Sequence, residues 1–401
     1  MADPQFELER ELEPAAVLAA IPLATEYLAT RTELTSLTKL RAEGLSPELA
    51  RAAVEQAILR QGLDHHWSRD WLFTRDTAEQ ASHPLVAAFH ARVIQSDDVT
   101  EIVDLTAGIG SDCAAIAAGG INVIAIERDQ HTAALLTHNL REFAQAWVVV
   151  GDSEHVAPKS DAYFVDPARR SGTRSANGAR ALPERDPERW SPPLSRVRSL
   201  SENATVYMKA APAFEPPHEW ARYSISVNRN LVEMFTTNSH SGTYAVMIDT
   251  RTGETTVIEQ MSRNVIPEQT LHDDTRVSLG SFIYEVDPAI SRAGLTAQVA
   301  DQLGLRCIGT RGMWLTGEHV PSVPYLRTYR VHDQFPIKEI ASRVSHLAGV
   351  AIKNKDSQQD FATLRKASRK PDHNSWAVVI TTIEGNEVAI LVNREIANYP
   401  E

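Results

Sequence analysis

The sequence predicts an α/β fold: a parallel sheet with a helical region before it and an α+β region after it. Three observations carry this. Short apolar runs alternate with helical patterns between residues 101 and 150, the rhythm of βαβ units. Each of four successive runs finishes on a carboxylate: Asp104, Glu127, Asp152 and Asp166. The first run also passes into a helix through Gly108-Ile109-Gly110, and in open α/β sheets a ligand crevice lies beyond the carboxyl ends of the strands.

Residues 1 to 95 read as helical. Ser46-Pro47-Glu48 is a helix start, with a hydroxyl cap, a proline in the first turn and an acid near the positive end of the dipole. Ala50, Val54 and Ile58 then recur at helical spacing, and Gly62 closes the pattern. Trp67, Trp71 and Phe73 are read as core anchors in preference to a base-stacking platform. The stretch 77–94 leads directly into the first strand.

Ile102, Val103 and Leu105 supply that strand, and the glycine turn opens a helix over 111–118. Further strands are expected at 122–126, 147–150, 161–165 and 205–208, then at 223–227, 231–235, 244–248 and 255–258, the last two paired across Thr252-Gly253. A polar boundary falls near 262–275. Beyond it the expectations are a helix over 288–303, helices near 337–347 and 359–367, and strands at 377–382 and 388–392. The resulting domains are 1–95, 96–262 and 263–401.

The acid-lined rim discriminates between cofactors. A dinucleotide site wants G-x-G-x-x-G, but Cys113 occupies the third glycine position. Asp104 lies four residues before Gly108, where a pyrophosphate would gain nothing from a negative charge. S-adenosyl-L-methionine carries an ammonium, a sulfonium, a ribose diol and an adenine amine. Charge-assisted hydrogen bonds to such groups are roughly twice as strong as neutral ones.

Asp104-Leu105-Thr106-Ala107-Gly108-Ile109-Gly110, Glu127 and Asp166-Pro167-Ala168-Arg169 resemble the successive motifs of class I S-adenosylmethionine-dependent methyltransferases, over roughly residues 75 to 215. Asp166-Pro167-Ala168-Arg169-Arg170 and the flanking layout resemble the branch with a C-terminal THUMP-like domain. Tyr284-Glu285-Val286-Asp287-Pro288-Ala289 and Ala351-Ile352-Lys353-Asn354-Lys355 carry that part of the likeness. The resemblance implies a Rossmann-like class I sheet. It also implies that Gly108 and Gly110 pass close to the donor, Glu127 holds the ribose and Asp152 the adenine. Thr106, Ala107, Asp112, Arg128 and Ser153 join the donor site as neighbours in these motifs, with Asp104; Gln80 and Ser82 of the lead-in are open candidates. Asp166 and Pro167 would hold the methyl acceptor, with Arg169 beside them. Ala168 and Arg169 replace the proline and aromatic that usually follow in amino methyltransferases, a departure that bears on an adenine-N6 acceptor.

From Asp166 to Arg198 there are eight arginines (169, 170, 174, 180, 185, 189, 196, 198) against four acids (166, 184, 186, 188), a net of +4 in a chain of −12. A second run from Val331 to Lys370 has eight Lys or Arg (338, 343, 353, 355, 365, 366, 369, 370) against four acids (333, 339, 356, 360), again +4. Arg169, Arg170, Arg174, Lys353 and Lys355 are the expected contacts to a phosphate-bearing acceptor, and THUMP-type domains are associated with RNA. Solvated charged faces are the bland alternative.

Composition bounds the rest. With 43% hydrophobic and 23% charged residues the chain reads as soluble and globular, and no run approaches the ~20 apolar residues of a membrane span. The acidic start lacks the basic head of a signal peptide. Two distant cysteines and fourteen histidines without ligand spacing point to no disulfide framework and no metal, so a cytoplasmic setting is expected. The function expected is methylation of an RNA base nitrogen. A small-molecule or protein acceptor, and a non-catalytic RNA-binding module retaining the donor site, stay open beside it.

Overall fold

The computed structural model describes residues 13–61, 70–155, 158–169, 184–261, 278–309, 312–344, 347, 350–354, 376–383 and 385–396. The chain divides into two compact units, Met1–Ala210 with Thr237–Ser239, and Ala211–Thr236 with His240–Glu401.

The first unit begins with α1 (Pro14–Leu28), α2 (Glu33–Ala42) and α3 (Pro47–Gln61). They close around Val17, Ile21, Ala24, Leu40, Ala50, Ala53, Val54 and Ala57. The expected start of α3 is present, since Ser46 Oγ accepts the Leu49 amide at 3.1 Å. Trp71 and Phe73 are core residues, with ring centroids 6.4 Å apart. Phe73 is held by Gln56, which accepts its amide at 3.1 Å and donates to its carbonyl at 2.6 Å. Trp67 and Gly62 lie outside the described residues.

Two short steps lead into the sheet: α4 (Arg75–Gln80) and α5 (Pro84–Ser96). The sheet of this unit then alternates with helices as β1 (Glu101–Asp104), α6 (Ser111–Ala118), β2 (Asn122–Glu127), α7 (Gln130–Asn139), β3 (Ala146–Val150), β4 (Ala162–Val165), α8 (Leu194–Ser201) and β5 (Thr205–Ala210). Its strand order is β3-β2-β1-β4-β5, and every pairing is parallel. The order reverses at β1, where β2 lies on one side and β4 on the other. In open α/β sheets such a reversal is the place where ligands bind, beyond the carboxyl ends of the strands, here those of β1 and β4. Asn139, at the end of α7, ties that helix to Leu72 and to the turn after β1. It accepts the Leu72 amide at 2.9 Å and donates to the carbonyls of Leu72 and Ile109, both at 3.1 Å.

The second unit carries β6 (Ala221–Val227), β7 (Asn230–Thr237), β8 (Thr243–Ile248) and β9 (Thr255–Glu259), in the order β7-β6-β8-β9. The hairpin expected across Thr252-Gly253 is formed, with Ile248 opposite Thr255. Next come β10 (Phe282–Val286), α9 (Pro288–Arg292), α10 (Thr296–Gln302), β11 (Arg306–Ile308), β12 (Trp314–Gly317), β13 (Leu326–Pro336), α11 (Ile340–Val344), β14 (Ala351–Asn354), β15 (Ala377–Ile383) and β16 (Asn386–Ile396). Seven of these strands form a sheet ordered β11-β12-β10-β13-β16-β15-β14, antiparallel except for β14 with β15.

Two expectations need correction here. The single helix over 288–303 is two, because Gly294 takes a left-handed conformation and the Leu295 amide turns back to the Ile290 carbonyl at 3.0 Å. The helix expected near 337–347 is one 3₁₀ turn, Ile337–Glu339, followed by α11. The helix expected near 359–367 lies outside the described residues.

Candidate active site at the strand ends

The site is assembled where β1, β2, β3, β4 and β5 end. The turn after β1 is pinned from three sides. Leu105 donates its amide to the Phe164 carbonyl at 2.9 Å, Ala107 to the Ile126 carbonyl at 3.0 Å, and Gly108 to Glu127 Oε2 at 3.0 Å. Glu127 Oε1 accepts the Asp129 amide at 2.8 Å, so one carboxylate shapes both the glycine turn and the start of α7. Burial, opposed by those two amides, leaves the Glu127 carboxyl above its ordinary range.

The two turn glycines do different work. A Cβ on Gly108, at φ +55°, would meet nothing within 4 Å, so the backbone there faces open space. A Cβ on Gly110, at φ +93°, would sit 2.6 Å from Leu136 Cδ1 and 3.1 Å from Leu140 Cδ2. Gly110 is thus held to glycine by its left-handed backbone and the close approach of the Leu136 and Leu140 side chains, whereas Gly108 borders open space.

Asp104 is 2% exposed, and both its oxygens are satisfied inside the fold. Oδ1 accepts the Thr106 amide at 2.9 Å and Oδ2 the Cys113 thiol at 3.0 Å. Burial pushes its carboxyl up to about 7, against the pull of these two donors. Asp152, beyond the end of β3, is instead half-buried; it accepts the Glu154 amide at 3.0 Å and lies 3.4 Å from His155 Nδ1, with Ser153 buried beside it. Exposed Arg128 donates to Ser191 Oγ at 3.3 Å, and Ser191 Oγ donates in turn to Glu154.

At the end of β4, Asp166 gives its amide to Thr106 Oγ1 at 2.6 Å, which ties the β4 terminus to the β1 turn. Its Oδ2 accepts from Lys209 Nζ, at the end of β5, at 2.6 Å. The same ammonium reaches Ser82 Oγ at 2.6 Å and Asp112 Oδ2 at 3.2 Å. Asp112, in the first turn of α6, also accepts from Ser82 Oγ at 2.7 Å and lies 2.8 Å from His90 Nδ1. Burial alone would raise the Asp112 carboxyl, but Lys209 and His90 overcome it and hold it well below the usual range. Pro167 is buried, Ala168 exchanges backbone hydrogen bonds with Ser191, and Arg169 is half-buried with its carbonyl accepting the Glu184 amide at 2.6 Å.

Among the expected donor and acceptor residues, the structure thus gathers Asp104, Thr106, Ala107, Gly108, Gly110, Asp112, Glu127, Arg128, Asp152, Ser153, Asp166, Pro167 and Arg169 around the strand ends of one unit. Lys353 belongs to the other unit, where its ammonium pairs with Glu285 at 2.7 Å and lies 5.2 Å from the Tyr329 ring centroid. Arg170, Arg174 and Lys355 lie outside the described residues. Lys209 and His90 did not emerge from the sequence. The available signal for Lys209 was its place: a cation closing the fifth strand of a row in which the others close on acids. His90 was hidden on an apolar helix face between Phe89 and Ala91. Among the described residues no group of three or more His, Cys, Asp or Glu is arranged to hold a metal, and no helix is long and apolar enough to cross a membrane.

No family model and no curated protein matches the chain. Solved structures do. The crystal structure of a "putative methyltransferase" from Porphyromonas gingivalis W83 superposes with a TM-score of 0.70 at 20% identity, covering 96% of this chain and 99% of that one. At that identity the likeness establishes a shared fold over nearly the whole length. Partial overlaps, both at a TM-score of 0.27, include a "putative RNA methyltransferase" from Pyrococcus horikoshii (16% identity, 38% of this chain, 82% of that one) and an rRNA methylase from Streptococcus thermophilus (14%, 39% and 95%).

Proposed function

We propose that the chain is an S-adenosylmethionine-dependent methyltransferase acting on a base nitrogen of RNA. The observation that carries the donor is the reversal of strand order at β1 and the residues placed at the strand ends beside it. There, the Gly108 backbone borders open space and gives its amide to Glu127, with half-buried Asp152 beyond the next strand end. The residues fit such a group: Glu127 and Asp152 supply acceptors for hydroxyl and amine donors, and Gly108 leaves room for close approach. The donor, when bound, supplies a methyl group already activated on a sulfonium.

The chain therefore needs mainly to position an acceptor, and orientation of that kind is worth up to ~7–11 kcal/mol in favourable systems. Asp166 supplies the means. Its Oδ2 is taken by Lys209, and no hydrogen bond to its Oδ1 occurs among the described residues. Oδ1 accepts the N–H of the acceptor nitrogen and holds its lone pair towards the methyl group, and the Pro167 carbonyl assists. Arg169 and the basic run that follows it meet a backbone phosphate.

RNA is supported by the two basic runs, each +4 within a chain of −12. Because the Lys353 ammonium is engaged by Glu285, the run beside Asp166 carries most of that support. The proposed layout remains 1–95 helical, 96–262 donor-binding and 263–401 THUMP-like, and the free Cys113 and Cys307 suit a reducing cytoplasm. The test is incubation with methyl-labelled donor and total cellular RNA, followed by separate digestion with ribonuclease and protease. Label lost only to ribonuclease is expected. Label lost only to protease identifies a protein acceptor, and label in the small-molecule fraction a small one; either refutes RNA.

A further inference from the structure

Four separate segments meet at one buried ammonium. Lys209 is 8% exposed along its side chain, and three acceptors surround its Nζ: Ser82 Oγ at 2.6 Å, Asp166 Oδ2 at 2.6 Å and Asp112 Oδ2 at 3.2 Å. An ammonium has three protons to give, and each of these acceptors can take one. The acceptors come from the lead-in after α4, the end of β4 and the first turn of α6. Behind Asp112, His90 closes the set at 2.8 Å.

Asp112 is as buried as Lys209, at 9%, whereas the Asp166 side chain is 33% exposed. One face of the pair is thus locked in the core and the other is partly exposed at the strand ends. From this geometry we infer that Lys209 is the positioning residue for Asp166. It ties Oδ2 to the core and so fixes the direction of Oδ1, the oxygen that faces the methyl acceptor. This rests on the methyltransferase reading above. A buried lysine serving only to neutralise Asp112 would need one carboxylate, with Ser82 and any neutral acceptor taking its other protons; the second carboxylate, Asp166, is what neutralisation alone does not require. The 2.6 Å contact to Asp166 is shorter than the 3.2 Å contact to Asp112, which places the stronger bond on the side of the more exposed carboxylate.

The two roles separate in the double variant Lys209→Met/Asp112→Asn, which removes the cation together with the buried anion that requires it. The experiment combines thermal stability, calorimetric binding of S-adenosylhomocysteine, methyl transfer to total RNA and a crystal structure. With Lys209 as positioning residue, stability stays near wild type and S-adenosylhomocysteine binding matches that of Asp112→Asn alone, the reference for any loss at the donor site. The Asp166 carboxylate swings to a new rotamer, and transfer falls by roughly 100-fold, the loss expected for a misplaced reacting group. Transfer that returns along with stability, or an Asp166 carboxylate that keeps its place, overturns the inference. Should the wild type itself label no RNA, the RNA reading fails while the crystal structure still decides where Asp166 points. Lys209→Arg is the second variant, which keeps the charge against a fold that needs it. Its planar guanidinium cannot reproduce the three-way geometry, so transfer drops while binding holds; full wild-type transfer from this variant contradicts the proposal equally.

Discussion

The two glycines of the turn after β1 give the sharpest separation between fold and site. Gly110→Ala asks a residue with a Cβ to hold φ +93° and to place that atom 2.6 Å from Leu136 Cδ1, a side chain 0% exposed in the core. The left-handed conformation costs ~1–2 kcal/mol, and overpacking of a filled core typically adds ~1–3 kcal/mol. The variant is therefore expected to lose about 2–5 kcal/mol, which for a unit of this size lowers the midpoint by roughly 10 °C. Gly108→Ala meets nothing within 4 Å at φ +55°, so only the backbone cost of about 1 kcal/mol remains. Its new methyl projects into that open space, so the loss there should fall on cofactor binding. Urea and thermal unfolding, with calorimetry of S-adenosylhomocysteine on each variant, read the two effects separately. Gly110→Ala as stable as wild type, or Gly108→Ala binding S-adenosylhomocysteine with wild-type affinity, would refute this division of labour.

Asp104 makes stability depend on pH in a definite direction. Its carboxyl sits at about 7 in the folded chain against an ordinary 3.8, so the folded state holds a proton that the unfolded state has released between those values. Stability therefore falls as pH rises through that window, by up to about 4 kcal/mol from this group. Asp112, held low, acts oppositely: its contribution is present above the ordinary carboxylate value and is lost as the medium turns more acidic. Asp104→Asn should gain on wild type when unfolding is compared between about pH 5 and about pH 8, and parallel curves would contradict the assignment. Asn139→Ala strands the Leu72 amide and the carbonyls of Leu72 and Ile109 in the core, a loss of ~2–4 kcal/mol measurable by urea denaturation. Asp166→Asn keeps an oxygen for Lys209 but turns an amide on the acceptor. Transfer should fall ~10²–10⁴-fold with S-adenosylhomocysteine binding retained, and a matching loss of binding would move Asp166 into the donor site.

The β1–β4 core was legible because its signals are local. An apolar run such as 102–105 needs only its own side chains to declare a strand, and Gly108 and Gly110 declare the turn in the same way. The strand-terminal carboxylates were equally visible. Their surroundings were not. Asp104 reads like the other three acids, yet Cys113, nine residues on, and the Thr106 amide turn it inward. The helix expected over 288–303 failed for a subtler reason: Gly294 is tolerable inside a helical pattern and decisive only once Leu295 packs back into the core.

The sequence by itself determined which residue types stand at each strand end, since strand, turn and helix follow from periodicity and glycine placement within a few residues. Only the tertiary structure decided which charges meet. Lys209 is 43 residues from Asp166, 97 from Asp112 and 127 from Ser82. The order β3-β2-β1-β4-β5 puts β4 beside β5 and brings their ends within reach of α6. An ammonium buried there is stable only where carboxylates converge on it, and convergence is a property of strand order that no window of sequence contains.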